Sequence, residues 1–151
     1  MALKRVSGKT KTMYFEGDTA REVRNGGAVV LTDSGTCVPP RNDSTDRFLG
    51  VAMRNDTTTD SSLVPVEVPV ELAVEWEADV DSDAGAADSD VLQACSFDTT
   101  GGGSVLAGDS CGMRIDVSDV TQQQFLITRR ISATKVIGVI VNNAFVEDYD
   151  T

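Results

Sequence analysis

The chain contains no histidine. That removes the Ser-His-Asp and Cys-His arrangements of ordinary hydrolases and leaves no imidazole to complete a zinc site. Cysteine is scarce as well: Cys37, Cys95 and Cys111 are an odd set whose spacing fits no zinc motif, so they read as free thiols. Aromatic residues make up only 5%, with one Trp, two Tyr and five Phe, too few for the stacking platform that sugar binding wants. Basic residues number 13 against 24 acidic ones, giving a net charge of −11, the reverse of what gripping nucleic acid requires. No apolar run reaches the roughly 18 residues of a spanning helix, and no leader-like segment precedes a cleavage site. These absences predict a soluble protein that is not an enzyme, carries no cofactor, is made in the cytoplasm, and has neither nucleic acid nor membrane as a partner.

What is present is β structure. The stretch Val64 to Trp76 places Val64, Val66, Val68, Val70, Leu72, Val74 and Trp76 at every second position, with Pro65, Glu67, Pro69, Glu71, Ala73 and Glu75 between them. A period of two means one buried and one wet face of a strand, and two interior prolines exclude a helix at about 3 kcal/mol each. Pro65 and Pro69, four residues apart, remove donors from the same lateral side, so that side cannot carry a full ladder. The reading is a long organising strand with one edge kept from pairing with other copies.

The remaining segments are short and punctuated. Ala28 to Leu31 and Thr36 to Val38 flank Asp33-Ser34-Gly35 as a hairpin. Phe48 to Met53, Val91 to Phe97, Cys111 to Val117 and Phe125 to Ile131 read as further strands. Val136 to Val141, apolar on both faces, belongs in the centre of a sheet. Ser118 is a candidate cap for one short helix. The organisation expected is a basic arm, 1–12, followed by one β-rich domain, 13–151, with sub-halves 13–76 and 91–146 around an acidic loop, 77–90. A weak internal echo pairs Gly17-Asp18-Thr19 with Gly108-Asp109-Ser110, and Gly50-Val51 with Gly138-Val139.

Two stretches carry candidate function. Within the acidic loop, Asp79, Asp81, Asp83 and Asp90 take positions one, three, five and twelve of a calcium loop, but Ala84 stands where the turn wants Gly and Asp90 where a bidentate Glu is usual. A solvated acidic loop is the stronger reading. The arm holds Lys4, Arg5, Lys9 and Lys11 with no acid, leaving 9 basic against 24 acidic residues in the rest of the chain. A charge division of that kind suits docking on an acidic neighbour, with Leu3 and Val6 to be buried there.

The run of Gly17-Asp18-Thr19, Ala28-Val29-Val30-Leu31, Asp33-Ser34-Gly35 and Phe48-Leu49-Gly50-Val51-Ala52, followed by the Val-rich strand, resembles the cement or decoration proteins of tailed-phage heads built on the β-tulip domain. The likeness covers roughly residues 13 to 76. It implies an antiparallel β-barrel or β-tulip with an extended N-terminal arm and at most one or two short helices. It further implies a place on the capsid exterior of a virion, assembly as a homotrimer, and the major capsid protein and other copies as partners. The arm and Pro65 and Pro69 are then the expected interface. The competing class is a free-standing β-sandwich that binds carbohydrate or calcium.

Overall fold

The structure is a computed structural model that describes residues 2–18, 21–41, 47–56, 63–71, 73–81, 85–101 and 110–141. The protein is mainly β, as expected. After β1 (Lys4–Ser7), the ten further strands among the described residues fall into two consecutive sets of five. The first set is β2 (Thr10–Glu16), β3 (Ala28–Leu31), β4 (Cys37–Val38), β5 (Arg47–Ala52) and β6 (Leu63–Pro69). The second is β7 (Glu75–Val80), β8 (Ala94–Phe97), β9 (Arg114–Asp116), β10 (Phe125–Ser132) and β11 (Lys135–Ile140).

The two sets have one topology. In space the first runs β2-β6-β5-β3-β4, and the second β7-β11-β10-β8-β9. All of these neighbours are antiparallel, and each set closes by one parallel contact between its third and first members, Gly17 with Cys37 and β7 with β9. The registers superimpose at the closures and corners of the two sets. At the closures, the Asp18 N–H donates to the Cys37 carbonyl (3.3 Å) and the Asp81 N–H to that of Ile115 (2.9 Å). At the opposite corner, the Ala52 N–H donates to Gly27 (2.9 Å) and the Ile127 N–H to Gln93 (3.1 Å). Leu31 faces Cys37 just as Phe97 faces Ile115. The chain is therefore a tandem repeat of a five-stranded barrel.

Alternation along the strands explains why both barrels hold. Val64, Val66 and Val68 of β6 turn into the first barrel beside Val29, Cys37, Leu49 and Ala52, while Trp76, Ala78 and Val80 of β7 turn into the second beside Phe97, Ile115, Phe125 and Ile127. The outer faces of β3 and β5 do not meet water. Val30, Phe48 and Val51 join the second core, and the Phe48 and Phe97 rings lie 4.9 Å apart at 38°. The two repeats are thus welded through a shared apolar cluster, whose burial is worth about 1.5–3 kcal/mol per large side chain.

Several sequence expectations are corrected. The stretch 64–76 is two strands, because the ladder breaks between Pro69 and Glu75, and Val70 is 49% exposed. The alternation survives the break, so β6 ends one barrel and β7 begins the next. Residues 77–80 of the expected acidic loop are the second half of β7, with Ala78 and Val80 buried. The repeats span 10–69 and 75–140 rather than 13–76 and 91–146. Ser118 caps no helix. Its N–H and hydroxyl both donate to Asp116 Oδ1 (3.1 and 2.6 Å), a local turn that competes with helix formation.

The prolines are not at an open edge. The Met53 N–H donates to the Pro65 carbonyl (2.9 Å), so the polar groups of Pro65 face β5. Residues 64, 66 and 68 consequently face β2. The expected loss of ladder is real but internal: β5 and β6 register only at Val51↔Glu67 and Ala52↔Val66. Gly50 compensates by close approach, since a Cβ there would collide with the Glu67 carbonyl.

Candidate assembly surface

The N-terminal residues were expected to form an extended arm, and the structure instead builds them into both barrels. Leu3 is buried in the second core at 5% exposure, and its N–H donates to the Gly26 carbonyl (2.8 Å). β1 then lies antiparallel on β7, with Lys4 opposite Glu77 and Arg5 opposite Trp76. Ser7 Oγ donates to Glu75 (3.3 Å), and the Arg5 Nε crosses to the first barrel, donating to Glu67 Oε1 at 2.6 Å. Thr10 Oγ1 donates to the same oxygen (3.2 Å), and the Lys9 N–H to Glu71 Oε1 (2.9 Å). An acidic receptor for the basic segment therefore exists within the chain, at Glu67, Glu71, Glu75 and Glu77. Val6 remains 47% exposed, and Lys4, Lys9 and Lys11 are exposed with no ion pair to any described residue.

β2 follows directly. Its odd residues serve the β6 ladder, which the bond from the Val70 N–H to the Lys9 carbonyl (3.1 Å) continues. The N–H and C=O groups of Thr10, Thr12 and Tyr14 thus point the other way, and none meets a backbone partner among the described residues, whereas Glu16 lies at the closure with Cys37. Superposition of the repeats sets Tyr14 on Glu77 and Thr12 on Glu75. Those β7 residues are the ones that β1 covers. One repeat therefore has its first-strand edge covered, and the other presents the same edge, from Thr10 to Tyr14, open among the described residues.

The calcium candidates do not converge. Asp79 accepts from the Ala2 N–H (3.3 Å) and pairs with Lys135 (3.5 Å), Asp81 pairs with Arg114 (3.6 Å), and Asp90 accepts from the Ala87 N–H (2.8 Å). Asp83 lies outside the described residues. No group of three or more metal-ligating side chains is gathered among the described residues.

One buried ionic cluster went unnoticed in the sequence. Asp98, 5% exposed, accepts from Arg114 Nε (2.5 Å), Ser110 Oγ (2.8 Å) and the Thr100 N–H (2.8 Å). Burial alone would raise its pKa, but the hydrogen bonds from Thr100, Arg114 and Ser110 together outweigh it and hold the carboxyl below its ordinary 3.8. Arg114 joins the end of β8 to Asp81 at the end of β7, so the cluster pins the parallel closure. Spacing offered no signal for it, because its members come from three separate stretches, at 81, 98–100 and 110–114.

No family model, curated protein or solved structure matches the chain.

Proposed function

We propose that the chain is a structural protein of the decoration or cement class, standing on the outside of a viral head and tying neighbouring shell subunits together. The observation that carries this reading is the open β2 edge. At Thr10, Thr12 and Tyr14 it is a row of backbone donors and acceptors with no backbone partner among the described residues, suited to adding strands rather than to transforming a substrate. The acidic composition supports it, since a body repeated at high copy number stays soluble through like charge. The N-terminal sequence supports it in altered form. The basic segment stiffens the body, and Lys4, Lys9 and Lys11 are left to face an acidic neighbour.

Each exposed ion pair is worth only about 0.2–1 kcal/mol, so affinity must come from strand pairing and from many copies acting together. The test is co-sedimentation of purified protein with shells assembled without it. Saturable binding, and shells that resist heat better once decorated, are expected. Failure of the intact chain to bind any shell it is presented with, in low and high salt alike, overturns the assignment.

A further inference from the structure

We infer that the β2 edge pairs with the same edge of a second copy, antiparallel and about a two-fold axis at Met13. The inference does not depend on the decoration reading. The first observation is the asymmetry between repeats: β7 has a strand laid on its outer edge at Glu75 and Glu77, while Thr12 and Tyr14, at the equivalent places, have none among the described residues. The molecule itself thus shows that this barrel geometry accepts a strand there. Tyr14, 63% exposed, stands where Glu77 receives Lys4.

Register and charge select the occupant. The open residues are Thr10, Thr12 and Tyr14, the outward side of Glu16 being taken by Cys37 at the closure, so a two-fold at Met13 sets Thr12 against Tyr14 of the other copy. The N–H groups of Thr12 and Tyr14 in both copies then each meet a carbonyl. Thr opposite Tyr is a favourable cross-strand pair. The strand is also polarised, with Lys9 and Lys11 at its start and Glu16 at its end. Antiparallel self-pairing brings the basic end of one copy to the acidic end of the other, whereas parallel pairing would oppose like charges. Lysines commonly guard an edge against indiscriminate pairing, and here a self-complementary strand answers them.

The test is sedimentation velocity across a concentration series. The intact chain should dimerise. Thr12→Pro removes an outward donor without touching the β2–β6 ladder, and should give a folded monomer. Because a strand proline can also unsettle the fold, charge variants provide an independent measure. Glu16→Lys alone, and Lys9→Glu with Lys11→Glu, should each weaken the dimer by about tenfold at low salt. Mixing those two variants should restore association as a heterodimer, since every end then meets its opposite. A monomeric intact chain, a dimer indifferent to Thr12→Pro, or no restoration on mixing overturns the inference. Capture of a strand from a different protein by a monomeric chain would also overturn it.

Discussion

Gly26 and Leu92 occupy the same position in the two repeats. Both have left-handed backbones, at φ 82° and 68°, and their N–H groups donate to equivalent carbonyls, Ala52 (2.8 Å) and Ile127 (2.7 Å). The turn that follows is also shared, with Gly27 bonded to Arg24 and Gln93 to Asp90, both at 3.0 Å. The geometry therefore belongs to the barrel and not to the residue. Leucine at a left-handed position is strained by roughly 1–2 kcal/mol, and glycine is not.

Leu92→Gly should accordingly stabilise the protein. The side chain is 74% exposed, so little packing is lost. Relief of strain offset by the greater freedom of glycine in the unfolded chain leaves about 0.5–1 kcal/mol, or a few degrees in thermal midpoint. The reciprocal Gly26→Leu should do the opposite, because a Cβ there would stand 2.7 Å from the Ala2 Cβ. Calorimetry of both variants checks this, and a lowered midpoint for Leu92→Gly would contradict the equivalence.

The β1 segment should be part of the fold. Leu3→Ala is expected to cost about 2–5 kcal/mol in urea unfolding, as for a buried core leucine. Removal of residues 2–7 should cost more and expose the β7 edge. A truncated chain as stable as the intact one would return this segment to the status of an arm.

The Asp98 cluster predicts an acid limit. The folded-state pKa of Asp98 lies below its unfolded value near 3.8, so its contribution is fully present above that value and fades as pH falls through the lower folded pKa. Asp98→Asn should flatten this part of the stability curve. It should also destabilise the protein at neutral pH by about 1–3 kcal/mol, because Arg114 keeps Asp81 but loses the charged oxygen of the buried carboxylate. Urea midpoints measured from pH 7 downward separate the two effects.

Thiol chemistry offers a direct check of the barrel interiors. Burial raises Cys37 to about 11, with Asp56 adding to it, and burial raises Cys95 to about 12. Both should stay unreacted with a thiol reagent at pH 8 in the native protein and react fully in denaturant. Rapid native labelling of Cys95 would show that the second barrel opens readily.

The β class was legible because alternation is a local signal. Val64 to Val68, Phe125 to Ile131 and the hairpin around Asp33-Ser34-Gly35 all stand where the pattern placed them. The same locality hid the break after Pro69: the apolar residues on both sides of it are even-numbered, so nothing in the phase marks a change of barrel. The repeat was hidden for another reason. Equivalent positions share hydrogen bonds but rarely residues, as with Met13 and Trp76, Cys37 and Ile115, or Gly50 and Phe125. The echo read from Gly-Asp pairs was out of register, since Gly17 follows the first strand of its repeat whereas Gly108 precedes the third of its own. Asp18 and Asp81, which do correspond, carry no flag in the sequence. The open edge was misassigned to Pro65 and Pro69, because proline reports a missing donor without reporting which neighbour lies beside it.

The seat of β1 on β7 has a consequence for biosynthesis. β1 leaves the ribosome ahead of β7, which begins some seventy residues later, so at roughly 5–20 residues per second it waits several seconds for its partner. By the end of that interval the first barrel has all five of its own strands, while Leu3 and the basic segment have had no place to go. The nascent chain therefore exposes this segment until β7 emerges, and its docking marks the moment at which the second repeat has begun to form.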